Sequence, residues 1–254
     1  MQGRLGPDGP VVLITLPCAR MGVAARLDVR RRDMRGAGID SPHGAAAAAR
    51  LIADLGLDLP HGIRLQAYAE AGLGTGVSTA SLLALARLAR WRGPASVLAR
   101  ACLRAEGASD PLMSHSPARL LWASREGRAL ARLPVLPAHE VIGGFYGPPQ
   151  VTDPADGAFP DIADLVAAWR GTRELAGFSA LAAMSAQRCL DLRGPAQDPT
   201  AGLANGLGAL GWVIAHTGAA RGLIFAPGRV PGHAAQALRD AGLRNVLQFS
   251  GGRA

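Results

Sequence analysis

Three glycines in five residues, Gly72-Leu73-Gly74-Thr75-Gly76, run straight into Val77-Ser78-Thr79-Ala80-Ser81. Upstream, residues 62–69 alternate Ile63, Leu65 and Ala67 against Arg64, Gln66 and Tyr68, the period of a half-buried strand. Downstream, residues 80–92 carry Leu82, Leu83, Leu85 and Leu88 along the inner side of a helix. The chain must therefore pass from strand to helix through a turn with almost no side chains, and such a backbone can close tightly around a ligand. A helix start presents unpaired N–H groups and the positive end of the dipole, which together suit phosphate. Thr75, Ser78, Thr79 and Ser81 add hydroxyls for phosphate oxygens or a bound magnesium ion. The same spacing also fits an ordinary strand-to-helix turn with a Ser/Thr cap. Two other phosphate motifs do not fit. A P-loop needs a lysine, and the chain has none. A dinucleotide fingerprint belongs in the first β-α unit with an acidic residue about twenty positions on, and residues 87–98 contain no acid.

The missing lysine also governs how the charge is read. The formal net charge is +8, yet every basic residue is Arg, in a chain rich in Ala and Gly. That pattern follows from GC-rich coding rather than from a nucleic-acid face, because the arginines are scattered and no aromatic-studded strand accompanies them. The dense run Arg30-Arg31-Arg32 lies between Asp28 and Asp33 and reads as a solvated loop. We therefore expect no nucleic-acid partner. Hydrophobic residues make up 49% but aromatics only 4%, so a packed core has to be built mainly from Ala, Leu and Val. Cys18, Cys102 and Cys189 are too far apart for a disulfide framework or a zinc site. No apolar run reaches membrane-spanning length and no signal-peptide plan opens the chain, so the expectation is a cytoplasmic protein with no membrane partner.

Periodicity places strands at residues 11–16 and 21–29, and a helix at 44–55 opened by Ser41-Pro42. Another helix follows at 94–103, and a hairpin at 118–122 and 127–133 turns on Ser124-Arg125-Glu126-Gly127. Pro134 and Pro137 mark a domain boundary, giving units 1–134 and 135–254. In the second unit, strands are expected at 141–145, 211–216, 222–225 and 246–249, and helices near 162–170, 175–190, 200–211 and 232–241. A Pro- and Asp-rich loop spans 147–160. Strands and helices mix without a strict β-α-β repeat, which indicates two α+β domains.

Three stretches together resemble the galactokinase, homoserine kinase, mevalonate kinase and phosphomevalonate kinase (GHMP) superfamily, nearest its L-threonine kinase and propanediol-utilization branch. Gly72-Leu73-Gly74 and Ser78-Thr79-Ala80 are similar to its second motif, G-x-G-M-x-S-S-T-A-D in that branch. Residues 213–224, Val-Ile-Ala-His-Thr-Gly-Ala-Ala-Arg-Gly-Leu-Ile, resemble the third, V-A-H-S-G-S-x-x-G-L-L. Gln2-Gly3 running into residues 11–17 resembles the tail of the first. The chain departs from the pattern at Val77, where the first serine of a pair stands, at Ser81, where the branch has Asp, and at Glu70 and Leu73. Most of the first motif would lie upstream of Gln2.

The resemblance implies a two-domain GHMP-kinase-like fold with a ferredoxin-like C-terminal domain. It also implies an ATP- and Mg2+-dependent kinase that phosphorylates a hydroxyl of a small amino-alcohol such as L-threonine, in a cobalamin or propanediol context. A catalytically impaired nucleotide- or metabolite-binding relative is the alternative. By the same resemblance Gly72, Gly74, Thr75, Gly76, Ser78, Thr79 and Ser81 hold the nucleotide, with Ser78 on the metal. Asp110 is the catalytic base, against the plainer reading of a turn Asp before Pro111; nearby His115 reads as a loop residue. Thr152, Asp153, His216, Thr217 and Gly218 line the substrate pocket. Oligomeric state has no signature in the sequence.

Overall fold

The computed structural model describes the whole chain except Val29, Arg31, Ala37, Gly38, Asp40, Val151, Thr152, Pro154, His216, Arg253 and Ala254. Its ordered elements are strands β1 (Gln2–Arg4), β2 (Val11–Leu13) and β3 (Val23–Leu27), helix α1 (Pro42–Leu55), β4 (Ile63–Ala67), α2 (Val77–Leu88), α3 (Ala95–Glu106), β5 (Leu120–Ala123), β6 (Arg128–Arg132), β7 (His139–Phe145), α4 (Ala163–Gly171), α5 (Leu175–Arg193), α6 (Thr200–Gly206), β8 (Gly211–Ile214), β9 (Ala220–Phe225), α7 (Ala234–Asp240) and β10 (Arg244–Gly251). The mixture of helices and strands is the α+β class expected.

One antiparallel sheet has the order β1-β2-β5-β6, and a two-stranded ribbon pairs β3 with β4. Helices α1, α2 and α3 pack against the ribbon through Leu51, Leu82, Leu85 and Cys102, with Ile63 and Leu65 from the strand side. The alternation of Ile63, Leu65 and Ala67 does what its period demands: Ile63 and Leu65 are buried while Arg64 and Gln66 face out. Ser41 caps α1 by accepting the Gly44 N–H at 3.1 Å.

A second antiparallel sheet has the order β10-β7-β9-β8. In chain order its strands lie 4-1-3-2, with helices between the first and second and between the third and fourth. This is the β-α-β-β-α-β arrangement of ferredoxin-like domains. Phe225, Trp212, Leu223 and Leu238 centre its core. The two sheets are not independent bodies. Ile162, Leu165, Val166 and Trp169 from the α4 segment, with Phe178 of α5, cover Val12 and Leu121 of the first sheet and Ile14 just after β2. Trp169 and Phe178 meet at 4.7 Å between ring centroids.

Three elements depart from the sequence expectation. Residues 2–4, read as a polar lead, form a strand because they pair with β2, Gln2 against Leu13. Helix α2 opens three residues earlier than its leucine pattern suggests, so Ser78 and Thr79 belong to its first turn. Helix α6 stops at Gly206, ahead of a turn in which Gly208 has φ 67°. Among the described residues no helix is long and apolar enough to cross a membrane.

Candidate functional site

The turn between β4 and α2 is held from three sides by backbone. Ala220 N–H donates to Leu73 O at 2.9 Å, and Gln150 N–H donates to Gly72 O at 2.8 Å. On the third side Gly74 abuts the turn between β8 and β9. Gly74 has φ 79°, and a Cβ there would stand 2.3 Å from Ala215 Cβ and 2.5 Å from Thr217 O. Gly218, at φ 118°, answers it, with a Cβ that would stand 2.5 Å from Gly74 N. Only glycine satisfies both the conformation and the clearance. Leu73, between the glycines, is buried against Phe145 of β7 and Ala219 just before β9. The apolar residue that departs from the family pattern is thus an anchor for the loop.

Helix α2 begins at Gly76 in the left-handed conformation, and among the described residues no side chain caps it. Its first N–H groups are left for a ligand or water. Val77 is buried in the core, so an apolar residue suits that position. Ser78 is exposed and donates its hydroxyl to Glu106 Oε1. Thr79 Oγ1 donates to Glu106 Oε2 at 3.3 Å and accepts the Asp110 N–H at 3.4 Å. Asp110 in turn approaches the loop so closely that a Cβ on Gly76 would stand 2.8 Å from its Oδ2. The segment before Asp110 is fixed on β5: Trp122 Nε1 donates to Ser109 O at 2.7 Å, and Ser109 N–H donates to Ser124 O at 2.9 Å. Two carboxylates, two hydroxyls and a bare helix start therefore converge at one point.

Removal from water dominates the acidity of both carboxyls. Burial pushes Asp110 up to about 6. Burial also pushes Glu106 up to about 7; the Ser78 and Thr79 hydroxyls pull it back, and the neighbouring Asp110 charge raises it. Thr75 Oγ1 is buried in the loop with no hydrogen-bond partner among the described residues, an orphan that a bound anion would satisfy.

Among the described residues no group of three His, Cys, Asp or Glu gathers as a self-sufficient metal nest. An all-oxygen pair, Ser78 Oγ and the Glu106 carboxylate, suits a hard cation such as magnesium, which usually completes its shell with water and phosphate oxygens.

The structure brings Gly72, Gly74, Thr75, Gly76, Ser78, Thr79, Asp110, Thr217 and Gly218 into one neighbourhood, but it leaves Ser81 out. That side chain is buried and donates to Val77 O at 2.8 Å, back-bonding along its own helix. Asp153 is exposed on the loop that carries Gln150, and its Oδ1 accepts the Ala155 N–H at 2.8 Å. Thr152 and His216 lie outside the described residues. His115 is exposed. Sequence reasoning missed Glu106. Its one local signal was electrostatic: a carboxylate closing α3, immediately before the left-handed Gly107, stands at the negative end of the helix dipole.

The sequence matches no protein-family profile and no curated protein. Its architecture does match solved structures. The Methanococcus jannaschii mevalonate kinase superposes with a TM-score of 0.60 at 10% identity, over 95% of this chain and 89% of that one. A putative homoserine kinase from Listeria monocytogenes gives 0.56 at 16% identity, over 99% and 94%. The L. major mevalonate kinase in complex with R-mevalonate gives 0.55 at 12% identity, over 91% and 85%. With nearly full coverage on both sides, the chain has the fold of the GHMP kinases.

Proposed function

We propose that the chain is a GHMP-type kinase, transferring the γ-phosphoryl group of ATP to a hydroxyl of a small metabolite. The observation that carries this reading is the convergence of Ser78, Glu106 and Asp110 at the uncapped start of α2, beside a loop built from glycines. Units 1–134 and 135–254 divide the work in this reading: the first supplies the helix start and the carboxylates, the second the Gly218 turn that backs the loop.

Phosphoryl transfer asks the protein for positioning and charge compensation more than for covalent chemistry. The N–H groups of residues 76–79 and the orphan Thr75 hydroxyl take the phosphate oxygens. Ser78 and Glu106 would hold magnesium, whose charge would offset that of the triphosphate. Asp110, ionised at neutral pH despite its raised pKa of about 6, accepts the proton of the acceptor hydroxyl as its oxygen bonds to the γ-phosphorus and the bond to the bridging oxygen of the departing ADP breaks. Ser81 drops out of the nucleotide set.

For the acceptor we propose an amino-alcohol of the L-threonine type, on the resemblance of residues 72–81 and 213–224 to that branch. Asp153, with Thr152, would meet the amino group from the loop that touches Gly72 through Gln150. The test is a coupled assay with MgATP against threonine, serine, homoserine and related amino-alcohols. Phosphorylation of one of them is the expected result. ATP binding with no transfer to any acceptor would favour a binding-only protein, and failure to bind ATP at all would overturn the phosphate site.

A further inference from the structure

Arg221, in β9, is an arginine almost wholly out of water, and it is paired with an equally buried acid. The side-chain exposures are 5% for Arg221 and 2% for Asp198. Nε donates to Asp198 Oδ2 at 2.7 Å, while Nη1 donates to Gly218 O at 3.1 Å and to Ala220 O at 3.0 Å. The other Asp198 oxygen accepts from Thr200, from N–H at 2.9 Å and from Oγ1 at 2.5 Å. Burying an ion pair is costly, and apolar residues of similar volume often serve stability as well or better. The pair is better explained by what it holds.

It holds the turn that backs the glycine loop. One guanidinium collects the carbonyls of Gly218 and Ala220, while the Ala220 N–H reaches the other way to Leu73 O. Gly218 lies on the Leu73–Gly74 peptide with no side chain between them. A shift of the turn therefore passes directly into the loop. The planar fork of Arg can bridge a carboxylate and two carbonyls at once; a lysine ammonium is a point charge on a flexible stem and cannot copy that geometry.

We infer that Arg221, locked in place by Asp198, is the positioning residue of the phosphate loop: it sets how residues 72–76 stand relative to the start of α2. Its consequence for ligand binding rests on the kinase reading above; the positioning itself does not.

The test uses the full chain and two variants. Arg221→Met/Asp198→Asn removes both charges together, so that no buried charge is left alone and an acceptor remains for Thr200. Arg221→Lys keeps the charge and loses the fork. Hydrogen–deuterium exchange is read at residues 72–81 and at the Gln150 and Ala220 amides that donate to loop carbonyls, with α3 and β10 as internal references. MgATP affinity is measured in parallel with a fluorescent ATP analogue. Both variants should exchange faster at the loop, by about tenfold or more, with the references unchanged, and should bind the analogue on the order of 10- to 100-fold more weakly. Unchanged loop exchange, or an acceleration spread evenly over the chain, would overturn the inference. A wild-type chain that does not bind the analogue would overturn the phosphate-site reading instead, and the exchange data would still decide the positioning role.

Discussion

Gly218 and Gly74 meet backbone to backbone, so closely that a single Cβ on Gly218 would stand 2.5 Å from Gly74 N. Residues 144 positions apart thereby become one surface, and the loop that faces the ligand is shaped by a turn from the other sheet.

Gly218→Ala should therefore act at a distance from any ligand. At φ 118° the substitution is strained and sterically blocked, at a cost of about 1–3 kcal/mol. Chemical denaturation should show that loss together with a fall in MgATP affinity. Undiminished affinity would mean that the turn does not shape the loop.

Asp110→Asn keeps the shape and removes the proton acceptor. Turnover should fall by about 10²–10⁴-fold, with ATP affinity nearly unchanged. Ser78→Ala should instead raise the magnesium concentration needed for half-maximal rate. Wild-type rates in both variants would dismiss the assignment.

Glu106 makes stability and activity pull in opposite directions. Its folded pKa, about 7, stands above the ordinary value of 4.5, so the folded state holds the proton more tightly than the unfolded chain does. This contribution is fully present below about pH 4.5 and is lost as pH rises through 7. Glu106→Gln should raise metal-free stability at pH 8 by on the order of 1–3 kcal/mol, seen as a higher melting temperature, and should change it little at pH 4.5. The same variant should lose magnesium-dependent activity. Thermal melts at the two pH values check the sign.

Ser81 separates the motif from its geometry. Ser81→Ala removes a hydroxyl bonded to Val77 O inside the helix, so it should cost about 1 kcal/mol and leave ATP affinity intact. A tenfold loss of affinity would return Ser81 to the site.

What the sequence revealed was mostly local. The alternation at Ile63 and Leu65, the Ser41 cap and the glycine turn all depend on neighbours a few residues away, and the structure reproduces each. Residues 2–4 carry no apolar alternation; they are a strand because β2 is there to pair with. Glu106 stands 28 positions from Ser78, with two helix ends and a connection between them, and no spacing rule links such residues. Arg221 falls at a variable position of the resembled motif, so only its burial and its three acceptors single it out.

The helices that follow the second sheet's first strand cover the apolar face of the first sheet, with Ile162, Val166 and Trp169 over Val12 and Leu121. Severing the chain after residue 134 would strip that cover and leave a greasy, half-finished sheet in water. Residues 1–134 should therefore not fold as a self-sufficient unit. The intact chain should unfold in one cooperative calorimetric transition, and the fragment 1–134 should aggregate rather than retain a weakened nucleotide site. On the ribosome, the ligand site would come into being only once the last third of the chain had emerged.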